Sequence, residues 1–269
     1  MSAPIRLART LIQVSGPDTD GFLDNLLTQR ISADAPLSYA ALLSPQGKVI
    51  ADMFVWRTLD ARILDVDPAR GGDLLRRLSM YKLRANISLE AREGVAVVHD
   101  APFHDSVADP RLATLGWRAL ARGEAGNQNE ADAHHTKRIA LGVPDLARDA
   151  GVEEVFALEA LLEELNGVDF QKGCFIGQEN VSRMKRRATT RRKFCAVVVD
   201  GDPPAPGAPV LAGEAELGSV RTGVSGRAIA LLRLDRALEA TEKGQQLTAG
   251  DKPVRLDPPP WLLLPARDD

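Results

Sequence analysis

Phe170-Gln171-Lys172-Gly173-Cys174-Phe175-Ile176-Gly177-Gln178-Glu179, with Arg183 close behind, is the most informative stretch of the chain. Two glycines four residues apart interrupt a helix and let backbone come close to a ligand. Lys172, Gln178 and Glu179 are polar groups able to converge on one ligand. An ammonium beside Cys174 favours the thiolate. A basic run follows: Arg183, Lys185, Arg186, Arg187, Arg191, Arg192 and Lys193. Taken singly, each part has a plainer reading. A cysteine after an apolar helix is commonly a small buried residue, a basic run is commonly a solvated face, and the glycines alone would be turn residues. Only the combination points to a site.

Upstream, Leu11 to Val14 reads as a short strand ending at the Gly16-Pro17 turn. Asp18 or Thr19 can then cap a helix whose buried face is Phe22, Leu23, Leu26 and Leu27. Tyr39 to Leu43 and Val49 to Trp56 flank Pro45-Gln46-Gly47-Lys48, a hairpin turn. Arg62 to Asp67 is a further strand, and Asp73 to Lys82 a helix with Leu74, Leu75 and Leu78 inside. Ile87 to Asp100 reads as two strands around a turn at Glu93-Gly94. Arg122 to Lys137 is polar and poor in apolar residues, which predicts an exposed loop or linker. A helix carrying Val155, Leu158, Leu161, Leu162 and Leu165 follows the Gly142-Val143-Pro144 turn. From about Arg192, short Val-rich strands alternate with Pro- and Gly-rich turns, the pattern of a small β-barrel. The class is α+β, with residues 1–190 as one region and 191–269 as the barrel.

Composition narrows the function. With 269 residues, 44% hydrophobic and 26% charged, the chain can bury a sizeable core and is not a disordered one. The net charge of −3 means that any anion site is local rather than a property of the whole molecule. No apolar run reaches the roughly 20 residues of a membrane span, and Met1 to Thr10 lacks a secretory apolar core. A cytoplasmic protein is expected. Two cysteines, Cys174 and Cys195, are too few for a disulfide framework or a structural zinc site. His99, His104, His134 and His135 lie in or beside polar stretches and read as surface residues. His134-His135 near Asp132 is a weak metal pattern, and no nucleophile–base pair is visible around Cys174.

Lys172 to Glu179 resembles the signature of the YgfZ family: Lys-Gly-Cys, an aromatic, any residue, then Gly-Gln-Glu. Val14 to Asp18, Phe22-Leu23 and Leu27-Thr28 resemble the N-terminal block shared with glycine-cleavage aminomethyltransferases, and Leu42 to Lys48 the family's strand–turn–strand segment. Glu159 sits where the family has a glutamate shortly after a proline, although that earlier position is Ala157 here.

The resemblance implies a three-unit cloverleaf around a central cavity, tetrahydrofolate within it, and a role in maintaining iron–sulfur proteins, including tRNA-modifying enzymes. It implies iron–sulfur client or assembly proteins as partners, and Cys174 as a reactive or protein-contacting thiol. The folate-binding set it suggests is Lys172, Gly173, Gln178, Glu179, Glu159, Arg183 and Asp52. A carboxylate such as Glu159 suits the paired N–H edge of a pterin, and a cation suits the glutamate tail. Trp56, Phe175 and Trp261 are wall candidates, with core packing the plainer role. Aminomethyltransferases carry adjacent acidic residues where this chain has Ile50-Ala51-Asp52-Met53, so only Asp52 remains. A folate-dependent aminomethyl- or methyltransferase is the alternative function. RNA binding ranks third because Phe194 is the one aromatic adjoining the basic run. A monomer without membrane or direct nucleic-acid contact is expected.

Overall fold

A computed structural model describes residues 3–31, 35–187 and 190–265. Its body is a seven-stranded sheet in the order β2-β3-β4-β1-β5-β7-β6. The strands are β1 (Ile5–Ser15), β2 (Leu37–Leu43), β3 (Val49–Arg57), β4 (Ala61–Val66), β5 (Ser88–His99), β6 (Val107–Ala108) and β7 (Trp117–Ala121). β1 is the spine, antiparallel to β4 on one side and to β5 along its full length on the other. Alternation along the strands separates two faces. Ile12, Val14, Leu64 and Val66 point to helices α1 (Thr19–Leu26) and α2 (Pro68–Lys82), packing against Leu23, Leu74 and Leu78. Leu11, Phe54, Trp56 and Ile63 point the other way, into a larger core shared with the second half of the chain.

β5 is one strand where two around a turn are expected. Gly94 serves close approach instead: a Cβ there would lie 2.2 Å from Leu11 Cδ1, so β1 and β5 can pair in this register only past a glycine. Asp18 stands at the N-cap of α1, but its carboxylate accepts from the Asn86 backbone N–H at 2.7 Å and makes no side-chain cap bond.

Two larger corrections fall in the middle of the chain. Most of the expected Arg122–Lys137 loop, from residue 128 on, lies in helix α3 (Gln128–Ala140), with Asn127 Oδ1 accepting from the Glu130 backbone N–H at 3.1 Å. Asn127 followed three residues later by Glu130 is a helix-start pattern, and the helix is polar because its inner face lines a cavity rather than a core. Conversely, Val155 to Leu165 is a chain of turns rather than a helix, with Leu161 inside it and Glu153 and Asn166 flanking it at positive φ. Its backbone pairs with the β2–β3 hairpin (Val49 N–H to Val155 O at 2.8 Å, Ala157 N–H to Gly47 O at 3.2 Å). Its leucines are buried all the same. The spacing of apolar residues reports burial; here the first residues bond to the hairpin and the rest close turns of mixed length, such as Ala160 N–H to Phe156 O at 2.9 Å and Leu162 N–H to Ala157 O at 3.1 Å.

Helix α4 (Leu146–Asp149) and helix α5 (Gln178–Arg187) lead to the last unit. There β8 (Arg192–Val199), β9 (Pro209–Ala212), β10 (Ala215–Val224), β11 (Arg227–Arg233), β12 (Leu247–Ala249) and β13 (Lys252–Leu256) close into a barrel, with α6 (Leu234–Glu242) between β11 and β12. Cys195, Val197, Val220, Ala230 and Val254 share one face of its strands and are buried. The barrel is tied to the body by charge: Lys193 Nζ donates to Glu164 at 2.6 Å and Arg221 to Glu154 at 2.6 Å. No described helix is long and apolar enough to cross a membrane.

Candidate functional site

A cavity of about 480 Å³ opens on the face of the sheet that carries Phe54. Small-molecule pockets span roughly 300–1,000 Å³. β1 contributes Leu7 and Arg9, β3 contributes Asp52 and Phe54, and β7 contributes Arg118; the start of α2, Arg111, α3 and α4 complete the wall.

The floor is a buried network. Asp65, fully buried, accepts from Arg9 Nε, from Trp56 Nε1 at 3.4 Å and from Arg118 at 3.3 Å. Asp109 accepts from Arg111 at 2.8 Å and lies 3.7 Å from Arg118. The Arg118 and Arg111 guanidinium carbons lie 3.8 and 4.7 Å from the centre of the Phe54 ring. Burial by itself would raise the Asp65 carboxyl, but Arg9 and Arg118 outweigh it and hold the group below its ordinary value. Asp52 behaves oppositely. Burial, then the charge of Asp145, raises its pKa, although Tyr39 Oη donates to it at 2.8 Å. Burial and neighbouring arginines push the imidazoles of His134 and His135 down, to about 3 and about 4.

Of the residues expected at a ligand, only Asp52 lines this cavity. Lys172 points elsewhere. Its buried Nζ donates to the carbonyls of Asp24 and Leu27, each at 2.7 Å, and of Gln29 at 3.1 Å, closing the C-terminal end of α1. The reason is local: the last carbonyls of a helix lack intrahelical partners, and a cation there is favoured twice over. Glu159 is buried too, gripped by Arg192 through two bonds of 2.9 Å and by the Phe156 backbone N–H at 2.9 Å. Both were expected on a folate, and in the structure both hold segments of the protein together.

The remaining signature residues gather at the tip of the β2–β3 hairpin. Gly177, with φ of 81°, lies so close to it that a Cβ would sit 2.6 Å from Ser44 O. Gln178 and Glu179 open α5, Asn180 donates to Gln46 O at 3.0 Å, and Arg183 turns back to Asn180. Gly173 and Cys174 are exposed. Cys195 is buried in the barrel, where burial pushes its thiol up to about 12. Trp56, Phe175 and Trp261 do not line the cavity: the first two are buried in the core, and Trp261 packs against it and donates to Leu141 O at 3.2 Å. His134 and His135, read as surface residues, are cavity residues on α3. No group of three or more metal-type side chains gathers among the described residues. Arg111, Arg118 and His134 carry no local sequence signal beyond the Asn127–Glu130 helix start, because they meet only when β7, α3 and the segment carrying Arg111 come together.

The chain resembles known proteins in three ways. The profile of the CAF17 C-terminal beta-barrel domain matches residues 191–263. The human protein named iron-sulfur cluster assembly factor IBA57, mitochondrial, is 28% identical over 293 residues, covering 91% of this chain and 82% of its own. The mouse protein of that name is 29% identical, covering 84% and 75%, and a Neurospora crassa homologue is 27% identical over 73% of this chain and 54% of its own. Among solved structures, the glycine cleavage system aminomethyltransferase T from Bartonella henselae superposes with a TM-score of 0.72 at 14% identity, over 94% of this chain and 84% of that one. The α+β, aminomethyltransferase-like fold with its small C-terminal β-barrel is thereby the one expected. The cytoplasmic expectation is overturned: these relatives are named as mitochondrial proteins. Composition and the lack of a long apolar run cannot separate one aqueous, reducing compartment from another.

Proposed function

We propose that the chain is an accessory factor for the assembly of iron–sulfur proteins, of the YgfZ type, and that its cavity holds a tetrahydrofolate. The assembly role is supported by relatives that carry that name and align along most of their length. The observation that carries the folate half is the cavity with Asp52 in its wall. Its donor set fits the ligand's chemistry. The Asp52 carboxyl, already held by Tyr39, can accept from the N–H edge of a pterin. Arg148, half exposed and 3.6 Å from Asp145, suits a tail carboxylate. A bound tetrahydrofolate would supply a reduced pterin able to carry a one-carbon unit. The protein's own part is to orient that edge and to shield it beneath α3.

Two tests separate the halves of this reading. In an anaerobic calorimetric titration the wild-type chain should bind tetrahydrofolate, and Asp52→Asn should weaken binding by about tenfold or more, the effect of losing a hydrogen bond to a charged group. No heat with any folate would remove the folate half and leave the assembly half standing. For the assembly half, exposed Cys174 is the residue to change, since it lies off the cavity and is free to meet a partner protein. Cys174→Ala should keep folate affinity and fail to restore iron–sulfur enzymes, tRNA-modifying ones among them, in cells lacking the chain. Full restoration would make the thiol dispensable.

Folate-dependent aminomethyl transfer is the second reading, favoured by Asp52 and by the fold. Against it, Asp52 is the one acid in Ile50-Ala51-Asp52-Met53, where the transferases carry adjacent acidic residues. Turnover of an aminomethylated lipoyl carrier by the wild type, abolished in Asp52→Asn, would decide for it. As an accessory factor the chain acts as a monomer that docks on its client.

A further inference from the structure

Helix α3 turns an inward face of Gln128, Ala131, His134, His135 and Arg138 toward the cavity. A helix whose inner face is polar must satisfy those groups or leave them to a ligand. Nearly all are satisfied within the protein. Gln128 donates to Asp132 at 2.8 Å, and Glu130 accepts from the Arg6 backbone N–H at 3.3 Å. Arg138 donates to Asp149 at 2.8 Å, to Thr222 at 2.6 Å and, through Nε, to His135 Nδ1 at 3.0 Å. His134 has no hydrogen-bond partner among the described residues, although it is half buried in the cavity wall.

The charges around His134 say what it can meet. Arg111 and Arg118 are its cationic neighbours. Both are already engaged, Arg111 by Asp109 and Arg118 by Asp65 and Asp109. Neither of these two cations, the ones beside His134 among the described residues, is left uncommitted to draw a carboxylate. Burial, and then the same guanidinium groups, keep the imidazole neutral at physiological pH, against the weaker opposing charges of Asp109 and Asp145. A neutral imidazole offers one N–H donor and one acceptor nitrogen.

We infer that His134 hydrogen-bonds an uncharged donor–acceptor edge of the heterocyclic ligand in this cavity. The inference rests on the folate reading, under which that edge belongs to the pterin rather than to the glutamate tail. His134 is then a binding and orienting residue supplied by α3, facing the ligand from the side opposite the sheet.

The test is a calorimetric titration of tetrahydrofolate into the full chain and three variants, each with its thermal midpoint recorded. His134→Leu should lose roughly fivefold in affinity, the worth of one neutral hydrogen bond. His134→Gln, which keeps a neutral donor and acceptor, should recover most of it. His134→Lys should bind more weakly than wild type. Because His134 bonds to nothing among the described residues, none of these changes should move the midpoint appreciably. Wild-type affinity in His134→Leu would overturn the inference and leave the folate reading intact. A loss that His134→Gln does not recover would make His134 a matter of shape alone, and tighter binding by His134→Lys would put an anionic group against it; either result overturns the inference. Absence of binding by the wild type would overturn both readings.

Discussion

Lys172→Ala should lower the thermal unfolding midpoint by about 10 °C while leaving the affinity for tetrahydrofolate unchanged. The ammonium is buried at the end of α1 and bridges three backbone carbonyls. Phe175 lies 5.5 Å away and Asp24 3.8 Å away. Truncation strands those carbonyls beneath the signature loop and leaves a cavity where the stem was. Leaving buried carbonyls without their donor costs about 1–3 kcal/mol each, and each kcal/mol is worth about 2–4 °C for a chain of this size. Lys172→Met separates the terms: it restores the stem's packing but not the ammonium, and should recover only a minor part of the loss. Circular dichroism melts beside the folate titration decide the matter. A midpoint within a degree or two of wild type, with affinity lost, would return Lys172 to the ligand site.

Asp65→Asn should cost a similar amount, about 3–5 kcal/mol, and should weaken ligand binding as well. Asp65 is the shared counter-charge of Arg9 and Arg118, and the Arg118 side chain is only 3% exposed. An amide in its place leaves a buried guanidinium with Asp109 alone, 3.7 Å away. Arg118 also packs on Phe54 in the cavity wall, so its release disturbs the site directly. The pH dependence follows from the same bonds. Asp65 and Asp109 both titrate below their ordinary values, because arginine partners outweigh the raising effect of burial. The folded chain therefore binds these protons more weakly than the unfolded chain does. The stability they contribute is complete above the unfolded carboxylate value of about 4, and is lost as pH falls through the lower, folded values. Wild-type stability should drop steeply on the acid side of that point, and Asp65→Asn should show a shallower acid limb. Urea titrations at stepped pH measure both, and parallel acid limbs would show that Asp65 carries no such linkage.

The strands and helices of the first hundred residues were legible because each has one apolar face and explicit punctuation. Leu74 and Leu78 mark the buried side of α2, and Pro45 to Lys48 mark the hairpin. The barrel was legible for a similar reason, its short Val-rich strands being separated by turns. Errors came where the usual meaning of a residue was reversed. Gly94 permits close packing instead of a turn. Helix α3 is polar on the side that faces inward. Val155 to Leu165 is apolar and buried, yet its first residues hydrogen-bond to another segment.

The sequence by itself determined the apolar faces of α1 and α2, the β2–β3 hairpin and the strand after it, that a small barrel ends the chain, and that Lys172 to Glu179 is a special stretch. Those are properties of local pattern: period, punctuation and a string of unusual composition. Only the tertiary structure decided what the special stretch does. A lysine in a signature string reads the same whether its ammonium meets a ligand or three carbonyls of its own chain, and that choice depends on where residues some 145 positions away come to rest. The cavity is likewise a product of distance in sequence. Asp52, Arg118 and His134 belong to three separate elements, and each is unremarkable until β3, β7 and α3 bring them to one face of the sheet. A side chain's chemistry is written in its type, but its desolvation, its partners and therefore its role are set by what packs around it.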